Sequence, residues 1–105
     1  MAESALTEGV YYILLSLLTP RHGYGIMQNT EALSGGRVRL AAGTLYGALT
    51  TLVDKGWIEA APGEDGGRQK RYRITPRGRE VLLGEWNRLG ELYDNGKNLL
   101  KGEEI

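Results

Sequence analysis

A chain of 105 residues, 41% of them apolar, has room for one domain with a small core. It holds no cysteine, which excludes a disulfide framework, an iron–sulfur cluster and thiolate zinc sites, and its single histidine, His22, is poor material for metal catalysis. The 13 basic residues balance the 13 acidic ones, so net charge alone gives no sign of a polyanionic partner.

The distribution of charge reverses that impression. Arg68, Lys70, Arg71, Arg73, Arg77 and Arg79 occupy a short stretch without an acid, and acids gather beyond it from Glu80 to Glu104. The most apolar run, VYYILLSLL at 10–18, is well short of the roughly 20 residues that span a bilayer, and no basic segment precedes it as in a signal peptide. A cytoplasmic protein without a membrane partner is the expectation.

In chain order, a first helix is predicted from about Leu6 or Thr7 to Thr19, ended by Pro20. Leu6, Val10, Ile13, Leu14, Leu17 and Leu18 cover more than one of its faces, the pattern of a helix that touches its own core and something else. PRHGYGI then reads as a turn into a second helix at 24–33, with Ile26, Thr30 and Leu33 along its buried edge. SGG at 34–36 supplies the positive φ that closes it. RVRL at 37–40 alternates charge and aliphatic residue, which predicts a short strand added to a later hairpin.

The stretch AAGTLYGALTTLVDKGWI at 41–58 is the best-defined helix. At about 100° per residue, Leu45, Leu49, Leu52 and Val53 share one face with Ala48 and Tyr46 on its flanks, and Thr44, Gly47, Thr50, Thr51 and Asp54 form the other. Short side chains there would let the helix backbone approach a major groove closely; the plainer alternative is a solvated outer face. Gly56 suits the left-handed position after the last turn, Lys55 the negative end of the helix dipole, and Trp57 is placed to fold back on Leu52.

Two strands at 58–62 and 70–74, joined by GEDGGRQ, form a hairpin. Alternation sets Lys70, Tyr72 and Ile74 on one face, which the tyrosine and isoleucine mark as buried, and Gln69, Arg71 and Arg73 on the other. Arg68, Lys70, Arg71 and Arg73 read as phosphate contacts because acids are absent beside them; the alternative is a charged edge that blocks strand pairing. Thr75 and Pro76 start the last helix, which runs to about Leu100. Leu82, Trp86, Leu89 and Tyr93 recur along it at spacings of 4, 3 and 4, Leu100 continues the line, and Leu83, Leu92 and Leu99 widen it. Such a stripe is too long for one small core. It predicts burial of Leu82, Trp86, Leu89 and Tyr93 against a second copy, together with Leu6 and Val10 of the first helix. Gly84, Gly90 and Gly96 interrupt the helix at about 1 kcal/mol each, for close approach or for looseness.

Helix, helix, helix, hairpin, helix is a mainly α arrangement with a small β-hairpin: a winged helix-turn-helix at 1–75 followed by a C-terminal dimerisation helix at 76–105. The segments LTEGVYYILLSLL, HGYGI, SGGRVRL, GTLYGAL, GWI, GGRQKRYRIT and PRGRE, in this order, carry a resemblance to the PadR family of bacterial transcriptional regulators, in its short branch with a single terminal helix. The resemblance implies a homodimer on palindromic operator DNA, usually a repressor. It carries GTLY onto Gly43, Thr44, Leu45 and Tyr46, with Thr44 and Tyr46 at the entrance to the groove, and the tyrosine of HGY onto Tyr24, whose hydroxyl and neighbouring amides would hold a phosphate.

There are two departures from the family. Ala41 and Ala42 replace the usual serine cap, worth about 1 kcal/mol, and Gly47, Thr50 and Thr51 stand where members often carry basic residues, which moves the expected affinity to the wing. The DNA-contacting set is therefore Tyr24, Arg39, Gly43, Thr44, Tyr46, Gly47, Thr50, Arg68, Lys70, Arg71 and Arg73, with strand solubility as the other reading of Arg37 and Arg39. Trp86 is read first as a packing anchor. Since some family members bind flat hydrophobic or phenolic compounds near the dimer interface, its second reading is a platform for such an effector.

No cofactor, metal or enzymatic activity is expected. Asp54 and Glu59 are the nearest thing to a carboxylate pair, and they lack a supporting polar shell. The rival readings are a winged helix whose wing contacts an acidic protein partner, and a small-molecule sensor whose DNA affinity is secondary.

Overall fold

The computed structural model describes residues 5–62 and 70–101. Helix α1, Glu8–Ser16, is capped by the Thr7 side chain, which accepts from the Val10 N–H at 3.2 Å. It ends before the sequence-predicted Thr19. The reason is tertiary: the Leu17 carbonyl accepts the N–H of Ile74 at 3.0 Å, so the chain leaves the helix there to meet the sheet. Strand β1, Arg21–His22, follows, then α2, Gly23–Leu33, which closes on Gly35 and Gly36 at φ of 64° and 86°.

Residues 37–40 form no strand, contrary to the alternation of RVRL. The edge of the hairpin they would join is occupied by β1, which pairs antiparallel with β3, Arg71–Ile74, in the register Arg21↔Tyr72 and His22↔Arg71. Strand β2, Ile58–Ala61, takes the other side, giving the order β1-β3-β2. The Val38 N–H instead donates to Ser34 Oγ at 2.8 Å.

Helix α3, Ala42–Asp54, begins at Ala41 without a side-chain cap, as the alanine pair implies. Its end is a complete Schellman arrangement: Trp57 N–H to Leu52 carbonyl at 3.0 Å, Gly56 N–H to Val53 carbonyl at 2.9 Å, and Gly56 at φ 76°. Ile13, Leu14, Leu17, Ile26, Leu45, Leu49, Leu52, Trp57, Ile58, Tyr72 and Ile74 build the core, completed by Val81 and Leu82 of the last helix. Two apolar residues assigned to it stay outside. Leu33 is 50% exposed and Val53 42%, because each lies in the last turn of its helix, where the chain overhangs the core.

Helix α4, Pro76–Leu100, starts as predicted, with Thr75 Oγ1 accepting from the Gly78 N–H at 3.0 Å and Pro76 in the first turn. Its base is fastened to the end of α3. Thr75 N–H donates to the Trp57 carbonyl at 3.0 Å, Thr75 Oγ1 donates to the Gly56 carbonyl at 2.6 Å, and Gly78 lies so close to the Trp57 carbonyl that a Cβ would overlap it. Gly78, Val81, Leu82 and Glu85 are the buried residues of α4, and the rest of the helix projects, stretching the molecule to 58 × 32 × 21 Å.

Candidate nucleic-acid interface

The outer face of α3 is bare backbone and short side chains. Thr44, Gly47, Thr50 and Thr51 are all exposed, and the position of a Cβ on Gly43 or Gly47 meets nothing within 4 Å. Thr50 Oγ1 donates to the Tyr46 carbonyl at 3.0 Å and Thr51 Oγ1 to the Gly47 carbonyl at 3.2 Å, which turns both hydroxyl protons back onto the helix and leaves methyl groups and lone pairs for a groove.

Beside this face, Tyr24 projects from the first turn of α2 at 67% exposure. Tyr46, half exposed, reaches from α3 to α2: its hydroxyl lies over Gly23, where any Cβ would strike it. That contact couples the HGYG and GTLY segments, and the signal for it in the sequence is the glycine that follows His22.

The wing carries charge on the face turned away from the core. Register sets Arg73 opposite Glu59, and Arg73 Nε donates to Glu59 Oε2 at 2.9 Å. Lys70 Nζ lies 5.9 Å from the centre of the Tyr72 ring. Arg71 Nε and His22 Nδ1, on residues paired across β1 and β3, are buried without a hydrogen-bond partner among the described residues. Arg39 Nε approaches Glu31 Oε2 at 3.7 Å, and Arg37 is bonded to Glu8, which raises the guanidinium pKa above its ordinary value. Arg68 lies outside the described residues. The sequence reading missed these ion pairs because Glu8, Glu31 and Glu59 are remote from their arginines along the chain. Only Glu59–Arg73 had a signal, since counting back from the hairpin turn sets those two opposite one another.

Of the residues assigned to contact with a second copy, Leu6 and Val10 pack half-buried on the protomer's own core, and Leu82 lies within it. Trp86 and Tyr93 are 62% and 69% exposed, and Leu83, Leu89, Leu92, Leu99 and Leu100 are exposed with them. A groove of about 210 Å³ between α1 and α4 is lined by Tyr11, Leu15, Leu18, Leu82, Leu83 and Trp86, with Arg79 as its cation. Next to it lies buried Glu85, whose carboxylate accepts from Arg88 Nε at 2.8 Å and Nη2 at 2.7 Å. The Arg88 hydrogen bonds hold its pKa below the ordinary carboxylate value against the opposing effect of burial, and a bond from the Leu6 backbone adds to the lowering. Tyr11 is pushed up, first by burial and then by the Glu85 charge.

Two helices in a helix-turn-helix arrangement, α2 and α3, backed by α1 and followed by a basic two-stranded wing, define a winged helix-turn-helix protein of the transcription-regulator class. Residues 13–83 match the transcriptional regulator PadR-like family, and the chain belongs to that family. The solved structure of a PadR family transcriptional regulator from Eggerthella lenta superposes with a TM-score of 0.71 at 28% identity, covering 91% of this chain and 82% of that one. An uncharacterized protein of Lysinibacillus sphaericus is 35% identical over 85 residues, 76% of this chain and 78% of its own length. An uncharacterized 37.1 kDa protein in a transposon of Streptomyces fradiae is 42% identical over 73 residues, 70% of this chain, which spans only 20% of that relative's length. Family and fold are those of regulators rather than enzymes. Among the described residues, no helix is long and apolar enough to cross a membrane.

Proposed function

We propose that this PadR-family regulator binds double-stranded DNA in a sequence-specific manner and represses transcription as a homodimer on a palindromic operator. Residues 1–75 form the DNA-binding unit and 76–105 the dimerisation helix, and the protein acts in the cytoplasm, where the DNA is. The observation that carries the reading is the open face of α3, with Thr44, Gly47 and Thr50 outward, together with exposed Tyr24 in the first turn of α2 and a wing bearing Lys70, Arg71 and Arg73. Gly43, Tyr46, Arg39 and Arg68 belong to the same contact set. A helix with small outer residues enters a groove, and a basic hairpin beside it meets phosphates.

The test is fluorescence anisotropy with duplex DNA across a salt series. The expected result is an affinity that falls with salt by about 0.9 in log–log slope for each phosphate contact, and a preferred sequence recoverable from a random pool. Binding that ignores salt and sequence would favour a wing that contacts an acidic protein instead.

A second reading concerns an effector. The groove between α1 and α4 joins an exposed Trp86 face to apolar walls with Arg79 beside them, which suits a planar hydrophobic or phenolic molecule. Saturable quenching of Trp86 emission by such compounds in a Trp57→Phe background, with a parallel loss of DNA affinity, supports it. Without quenching, Trp86 is a packing residue of the dimer.

A further inference from the structure

The proposal here rests on the DNA-binding reading and concerns how the wing discriminates. The chain has 13 basic and 13 acidic residues, so it has no net long-range attraction for a polyanion, and any affinity for DNA depends on local cations left free. On the outward face of the wing Arg73 is not free. It stands directly across the β2–β3 ladder from Glu59, with Nε donating to Oε2 at 2.9 Å, and the two side chains are 46% and 50% exposed. The carboxylate thus lies on the guanidinium where a phosphate oxygen would lie. A phosphate that reaches Arg73 also comes well within the screening length of about 8 Å from the Glu59 charge and is repelled by it.

We propose that Glu59 is a specificity-determining residue: it screens Arg73 from the backbone of arbitrary DNA and yields it to a phosphate when α3 is seated in its own sequence. The difference between the two complexes is effective concentration. In a loose complex a phosphate passes Arg73 transiently and competes poorly with a carboxylate tethered 2.9 Å away. In a seated complex the groove contacts of α3 hold one phosphate against the wing, and an exposed ion pair is weak enough to open for it. Arg73 meets Glu59 through Nε, so a phosphate can approach the Nη groups and the exchange can begin before the pair separates.

A double-mutant cycle tests this on the full-length protein, with a mixed-sequence duplex and an operator selected from a random pool, read by anisotropy. Glu59→Gln keeps the size and hydrogen-bonding capacity of the side chain, and its fold is checked by circular dichroism. The expected result is about a fivefold tighter affinity for mixed-sequence DNA with a steeper salt slope, less than a twofold gain for the operator, and no gain for either duplex in an Arg73→Gln background. A gain that persists without Arg73 would show a general charge effect and overturn the proposal, as would no gain at all. Equal gains for both duplexes would overturn the role in specificity. If the wild type binds no duplex even at low salt, the DNA-binding reading itself fails; if it binds, weakens on Lys70→Gln, and shows no Glu59–Arg73 coupling, this proposal fails alone.

Discussion

Gly78 governs how the last helix meets the body. The carbonyl of Trp57 occupies the space a Cβ would need, and that carbonyl is fixed by the Thr75 N–H, so neither side can yield. Gly78→Ala is expected to destabilise the fold by about 1–3 kcal/mol, the range for overpacking, seen as a lower urea midpoint. Gly43→Ala, with nothing within 4 Å, is the control and should be neutral or slightly stabilising. Glu85 predicts a pH response. Its carboxylate is held below its ordinary pKa by Arg88, so the stabilisation is fully present above the unfolded pKa of about 4.3 and is lost as pH falls through the folded value. Unfolding of the wild type should therefore become easier below about pH 4.3, and Glu85→Gln should flatten that part of the profile.

At the scale of elements, α4 offers a clean measurement. Gly84 stands about 200° around the helix from Trp86, and no atom lies within 4 Å of its missing Cβ. Gly84→Ala should therefore act through helix propensity alone and stabilise by about 1 kcal/mol in thermal melts; a loss instead would place a neighbouring backbone there. The elements that the sequence made legible are those with local chemistry. Thr75–Pro76 starts α4, and Gly56 with Trp57 closes α3, because caps are settled within a few residues. What stayed hidden depends on distant partners. RVRL alternates as well as any edge strand, but the edge of β3 is taken by Arg21–His22, a pairing across about 50 residues that no local pattern signals. Leu33 and Val53 fit their helical faces and fail because the core stops before the helix does. In the candidate interface, the small outer face of α3 follows from periodicity alone, whereas the pairing of Arg37 and Arg39 with Glu8 and Glu31 needed the folded chain.

The whole molecule is longer than its length in residues implies. Its radius of gyration is 15.8 Å, against about 13 Å for a compact chain of this size, and the excess is the projecting half of α4 with its apolar residues outward. An isolated helix of so few turns is marginal in water, so burial against a second copy is the expected state. Sedimentation equilibrium should give a dimer at micromolar concentration, and Trp86→Glu should shift it toward monomer while circular dichroism retains the signal of the body. A wild-type monomer under those conditions would remove the dimer from the proposed function.

The fastening of α4 to the end of α3 through Gly56, Trp57, Thr75 and Gly78 makes the arm a lever with its fulcrum at the end of α3. From that fulcrum, 25 residues extend the arm by about 37 Å, so a tilt of roughly 10° at the base moves the tip by about 6 Å. The gearing also runs backwards: if the tips of two arms are clasped, a change of a few ångströms in how they cross becomes a rotation of each α3 against the other. In the proposed homodimer, two copies of α3 meeting grooves about 34 Å apart would tolerate little such rotation, so the stiffness of this joint would decide whether one spacing of half-sites is accepted or several.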